Sequence, residues 1–151
     1  DPADPIASPK GWHSTERLNG GTGLRFTYTR GNNVYAYDDS QDDNSPNVDE
    51  AVDGGDSLVF NFPWSLTTNP EEQKEAAITQ LFYMNNIMHD FTYHHGFDEE
   101  GGNFQHNTYG NGGNGADAVR AEAQDGSGTN NANFGTPPDG SSPAGRRKNC
   151  R

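Results

Sequence analysis

Apolar residues recur along this chain in two rhythms, and the change from one to the other marks the elements. Leu24, Phe26 and Tyr28 alternate with Arg25 and Thr27, Gly31, Asn32 and Asn33 interrupt, and Val34, Tyr35, Ala36 and Tyr37 follow, which predicts a hairpin with a loop longer than the tightest turns. The stretch DDSQDDNSPNVDEAVDGGD is acidic, has almost no apolar residues and reads as a loop. Leu58, Phe60 and Phe62 then predict a short strand with one apolar face.

The rhythm changes to a helical one after Asn69. Asn69 suits a helix N-cap, Pro70 the first helical position, and Glu71 and Glu72 the electropositive first turn. Ala77, Leu81, Met84, Met88 and Phe91 fall at spacings of three and four and predict one apolar face, widened by Ile78, Phe82 and Ile87. Gly96 supplies a stop, so the reading is one helix of about 25 residues, nearly 38 Å long. Past a Gly- and Asn-rich stretch, DAVRAEAQD predicts a strand with Val119, Ala121 and Ala123 on one face and Arg120, Glu122 and Gln124 on the other. TNNANF reads as a short polar strand, and the sum is an α+β fold with long loops.

Composition narrows the function. Only 29% of the 151 residues are hydrophobic, and 19 are Gly, so a single domain with a modest core is expected. The formal charge of −12 repels nucleic acid and anionic membrane surfaces, and no apolar run approaches the length of a membrane span. Arg146, Arg147, Lys148 and Arg151 crowd the end of the chain, so residues 1–145 hold all 22 acids against six bases. We divide the chain accordingly into a domain at 1–145 and an unrelated basic tail at 146–151. Cys150 is the only cysteine, which excludes an intramolecular disulfide or a CxxC metal framework.

Two clusters carry candidate metal chemistry. His89, His94 and His95 lie near the end of the helix, but the first stands five and six residues from the others, a poor spacing for one face. Asp90 and His94 are four apart, which suits either a shared metal or a hydrogen bond to each other. HExxH, the strong zinc signature, is absent from the 151 residues. In the acidic loop, Asp39, Asp42, Asn44, Asn47 and Asp49 are closely spaced oxygen donors of the kind calcium takes, without the regular EF-hand pattern.

Four blocks carry a resemblance: ASPKGWH, TRGNNVYAY, AAITQLFYMNNIMHDFTYHHGFDEEGGNFQ and AQDGSGTNNANFGTPPDG. In that order, over about residues 6–143, the chain resembles the fungalysin family of secreted zinc metalloendopeptidases. The resemblance implies the amino-terminal half of a thermolysin-like catalytic domain: a β-rich lobe with one long helix, before a helical lobe that carries the zinc ligands and the catalytic glutamate. It further implies that Asn131 and Ala132 sit on an edge strand that binds peptide or protein substrate, and that the histidines here lie outside the zinc shell.

Two expectations follow from the resemblance and the departure of AGRRKNCR from the family pattern. One is a truncated part of a secreted protease, with zinc bound by its other lobe and no activity alone. The other is a non-catalytic extracellular module that binds calcium or self-associates.

Overall fold

The computed structural model describes residues 2–149, Asn149 by its backbone alone. The long helix, α1, runs Lys74–Tyr93, about 30 Å at 1.5 Å per residue. Its start is later than the sequence implies, because Pro70–Gln73 form a 3₁₀ turn and the Asn69 side chain makes no capping bond. Gln73 ties the entry instead: its Oε1 accepts from the Ser65 N–H at 2.5 Å and its Nε2 donates to the Thr68 carbonyl at 2.9 Å. The far end closes as expected at Gly96. There φ is +90°, and Phe97 N–H reaches back to the Thr92 carbonyl at 3.1 Å.

The buried face of α1 is shifted from the centre of the predicted one to its Ile78 and Phe82 flank, with Leu81 and Ile87 packed partly against the core. Ile78, Phe82, Asn86 and Asp90, each four residues on, turn inward, while Met84, Met88 and Phe91 are 46%, 55% and 59% exposed. Counting apolar residues misses this face because its second half is polar and is satisfied by hydrogen bonds. Asn86 accepts from Asn33 Nδ2 at 3.1 Å and donates to the Phe82 carbonyl at 2.9 Å.

Ile78 and Phe82 pack on a mixed four-stranded sheet. Its strands are β1 (Val34–Asp38), β2 (Val119–Thr129), β3 (Ala132–Gly135) and β4 (Ala144–Asn149), in the spatial order β1-β2-β4-β3. β1, β2 and β4 are parallel, and β3 runs antiparallel to β4 at the sheet edge. Val34 and Ala36 of β1, with Val119, Ala121 and Ala123 of β2, present the apolar face to the helix, and Trp12 and Val52 complete the core. The opposite face buries Tyr37, whose hydroxyl donates to Glu122 Oε1 at 2.9 Å. Glu122 in turn pairs with Arg146 at 2.7 Å. Residues 146–149 of the basic segment thus lie in β4, while Cys150 and Arg151 fall outside the described residues.

Two predicted strands do not form as regular elements. Residues 24–30 make only isolated bridges, Ser14 with Arg25, Tyr28 with Asp53 and Arg30 with Tyr35, so the hairpin exists only at its turn. Residues 58–62 are irregular, and Leu58 sits at φ +52°. Phe60 and Phe62 nonetheless pack against the core, so burial rather than a strand ladder explains their apolar character.

Candidate functional site

β3 is an exposed edge. On its inner side the Asn131 carbonyl accepts from the Lys148 N–H at 2.9 Å, and Ala132 lies opposite Arg147. Antiparallel pairing alternates inward and outward backbone groups, so Ala132 and Phe134 turn their N–H and C=O groups toward the open side. No further strand pairs with that side among the described residues. Asn131 and Ala132 are both exposed, and the Asn131 Oδ1 accepts from the Ala132 N–H at 2.9 Å.

Concave surface flanks this edge on both sides. A cavity of ≈ 570 Å³ lies between Asn131 and Ala132, the basic residues of β4, and Leu81 and Asn85 of the helix. A second, of ≈ 520 Å³, is more apolar and is lined by Met88, Phe97, Phe104, Phe134 and Pro137. Asn85 borders both. The helix and the edge strand therefore form two walls of one trough, with exposed apolar side chains along it.

The histidines do not assemble a zinc site. His89 is held by Asp90 Oδ1 at 3.0 Å and Gln105 Oε1 at 3.1 Å. His94 bonds to Asp4 Oδ2 at 3.0 Å rather than to Asp90, and His95 Nδ1 bonds to the Phe91 carbonyl. His13 stacks on Phe60, and its burial holds its pKa below the usual imidazole value, opposed by a bond to the Tyr28 carbonyl. Among the described residues, these histidines are engaged in separate hydrogen bonds and do not converge on one point.

Asp90 is instead a structural hub. Its carboxylate accepts from Ser8 Oγ at 2.6 Å, Trp12 Nε1 at 2.7 Å and the Asp4 N–H at 2.9 Å. Burial pushes its pKa up, but these bonds and His89 outweigh that and hold it below the ordinary value. Spacing pairs Asp90 with His94, but apart from adjacent His89 its partners come from a segment some 80 residues away.

The acidic residues are only partly brought together. Oxygens of Asp39, Asp42 and Asp125 lie within 4.8 Å of one another. Asp125, in the second half of β2, is not among the donors that spacing groups in the loop; its only mark in the sequence is the Asp-Gly that closes the predicted strand DAVRAEAQD. Asn44 lies in the same loop and donates its N–H to Asp39 Oδ1 at 3.1 Å. Asn47 and Asp49 belong to a separate turn, where Asn47 bonds to Glu50.

Comparison with known proteins agrees with this architecture. The family model described as Fungalysin metallopeptidase (M36) matches residues 1–147. Extracellular metalloproteinase 3 of Trichophyton tonsurans is 48% identical over 136 residues, covering 89% of this chain and 20% of the relative. Extracellular metalloproteinase 2 of Arthroderma gypseum is 47% identical over 137 residues, covering 88% and 20%. The chain belongs to the fungalysin metallopeptidase family, and its α+β fold with one long helix is consistent with the amino-terminal lobe of such an enzyme. It spans about a fifth of the length of the relatives it matches, and their extracellular naming puts it among secreted proteins.

Proposed function

We propose that this chain is the amino-terminal lobe of a secreted zinc endopeptidase and that β3 binds the substrate by strand addition. The observation that carries the reading is the open edge of β3, exposed beside a trough and beginning at Asn131 and Ala132. An extended peptide laid along that edge gains backbone hydrogen bonds whatever its sequence, and the flanking cavities receive its side chains. Zinc and the residues that hold it belong to the remainder of the protein, so this lobe alone is inactive. The exposed Met84, Met88 and Phe91 face is then covered by that remainder.

In the whole enzyme, Asn131→Ala is expected to lower kcat/KM for peptides about 10-fold, the loss of roughly one substrate hydrogen bond, with zinc content unchanged. An unchanged kcat/KM removes the Asn131 side chain from substrate binding, and a Phe134→Pro variant that also keeps full kcat/KM removes the edge-strand role. The alternative, a non-catalytic module that binds calcium or self-associates, is separated by supplying the downstream segment in trans. Recovered peptidase activity supports the protease lobe, and a stable lone chain with no response supports the module.

A further inference from the structure

The loop after β1 begins where Asp39 meets the middle of β2. The Asp39 N–H donates to the Ala123 carbonyl and its own carbonyl accepts from the Gly126 N–H, each at 2.9 Å. Between those two contacts β2 slips register, with Gln124 at φ +52°, and the bulge sets Asp125 beside Asp39.

Both carboxylates are buried, Asp39 at 2% and Asp125 at 0% exposure. Each uses one oxygen locally: Asp39 Oδ1 accepts from the Asp43 and Asn44 N–H groups, and Asp125 Oδ1 from the Ser127 N–H. The second oxygen of each, Oδ2 in both cases, is buried with no hydrogen-bond partner. Orphaned carboxylate oxygens on two neighbouring buried residues are costly unless a cation meets them.

Protein cations do not close this gap. Arg146 pairs with Glu122 and donates to Asn44. Arg146 and Lys148 act on Asp125 through space, yet neither forms an ion pair with Asp39, Asp42 or Asp125 among the described residues.

We propose that Asp39, Asp42 and Asp125 bind a calcium ion that fastens the acidic loop to β2 at its bulge. The donors are all oxygens, which selects a hard cation. Oxygens on opposite sides of one calcium, at about 2.4 Å each, stand about 4.8 Å apart, and the three carboxylates fall within that span. Exposed Asp42 leaves room for water to complete the shell. This site differs from the set suggested by spacing alone, for Asn47 and Asp49 take no part.

The test counts calcium in the full-length protein after equilibrium dialysis at about 1 mM calcium, the range of extracellular sites. Asp42→Asn and Asp125→Asn should each bind one calcium fewer per chain than wild type, and Asp49→Asn should bind the same number. Asp42 is exposed, so its variant keeps the test decisive if the buried Asp125→Asn misfolds. Undiminished calcium in Asp42→Asn overturns the proposal, and so does an equal loss in Asp49→Asn, which would mean diffuse attraction by the loop's charge. Cleavage of the loop by an added protease should rise about 10-fold on chelation in wild type and be calcium-independent in Asp42→Asn. This count does not depend on the peptide-binding reading, so either one can fail alone.

Discussion

The indole Nε1 of Trp12 donates to Asp90 Oδ2 at 2.7 Å across 78 positions of sequence, fixing the amino-terminal segment to the middle of the domain. Asp90→Ala strands Trp12, Ser8 and the Asp4 N–H together, and a loss of about 3 kcal/mol is expected in urea unfolding. The sign of the pH effect follows from a folded pKa below the unfolded one. The contribution is full above the unfolded value near 4 and is lost as pH falls through the folded value. Asp90→Asn should therefore flatten the acid limb of the stability curve relative to wild type.

The two sides of α1 should respond differently to truncation. Phe82 is buried against the sheet, so Phe82→Ala is expected to cost about 3–4 kcal/mol. Met84→Ala on the exposed side should cost under about 1 kcal/mol in the isolated lobe. Thermal melts of the two variants check this, and equal losses would mean that the buried face is misassigned.

Gly31 and Gly96 are needed for different reasons. A Cβ at Gly31 would lie 1.5 Å from the Trp12 carbonyl oxygen, an overlap with backbone that no rotamer relieves. Gly96 has open space but a left-handed φ of +90°. Gly96→Ala should cost about 1 kcal/mol, whereas Gly31→Ala should not yield folded protein, as judged by near-ultraviolet circular dichroism.

On the far face of the sheet, burial raises the pKa of Glu122, while the Tyr37 hydroxyl and Arg146 pull it back. A carboxyl with a raised folded pKa costs stability progressively as pH rises from the ordinary glutamate value through the folded one. Arg146→Ala removes the compensating charge and should destabilise by about 3 kcal/mol near neutral pH. Adding Glu122→Gln should recover much of that loss, and a double variant as weak as the single one would rule the ion pair out as the cause.

The sequence made the main elements legible where local chemistry decides them. Pro70, the spaced apolar residues and Gly96 placed α1 within a few residues, and alternation from Val119 to Ala123 placed β2. The helix's orientation was hidden because its inward face ends in Asn86 and Asp90, whose partners lie far away in sequence. Apolar Leu58, Phe60 and Phe62 suggest a strand, yet Phe60 and Phe62 pack against the core without a ladder and Leu58 stays exposed. Spacing grouped Asp39 and Asp42 but could not bring in Asp125, since parallel pairing and a bulge make that neighbourhood.

Val34 lies beside Val119 in the central parallel pair, so the sheet joins residues 85 positions apart in the chain. Closing a loop of that length carries an entropy cost of about 4 kcal/mol before any neighbouring contact repays it. Helix α1 lies inside the loop and can form early, but its apolar residues then wait for a sheet that assembles late. Refolding should accordingly be slow and concentration-sensitive, with association between half-formed chains competing against closure. Successful folding is then set by the time β1 and β2 need to find each other as much as by the depth of the final energy minimum.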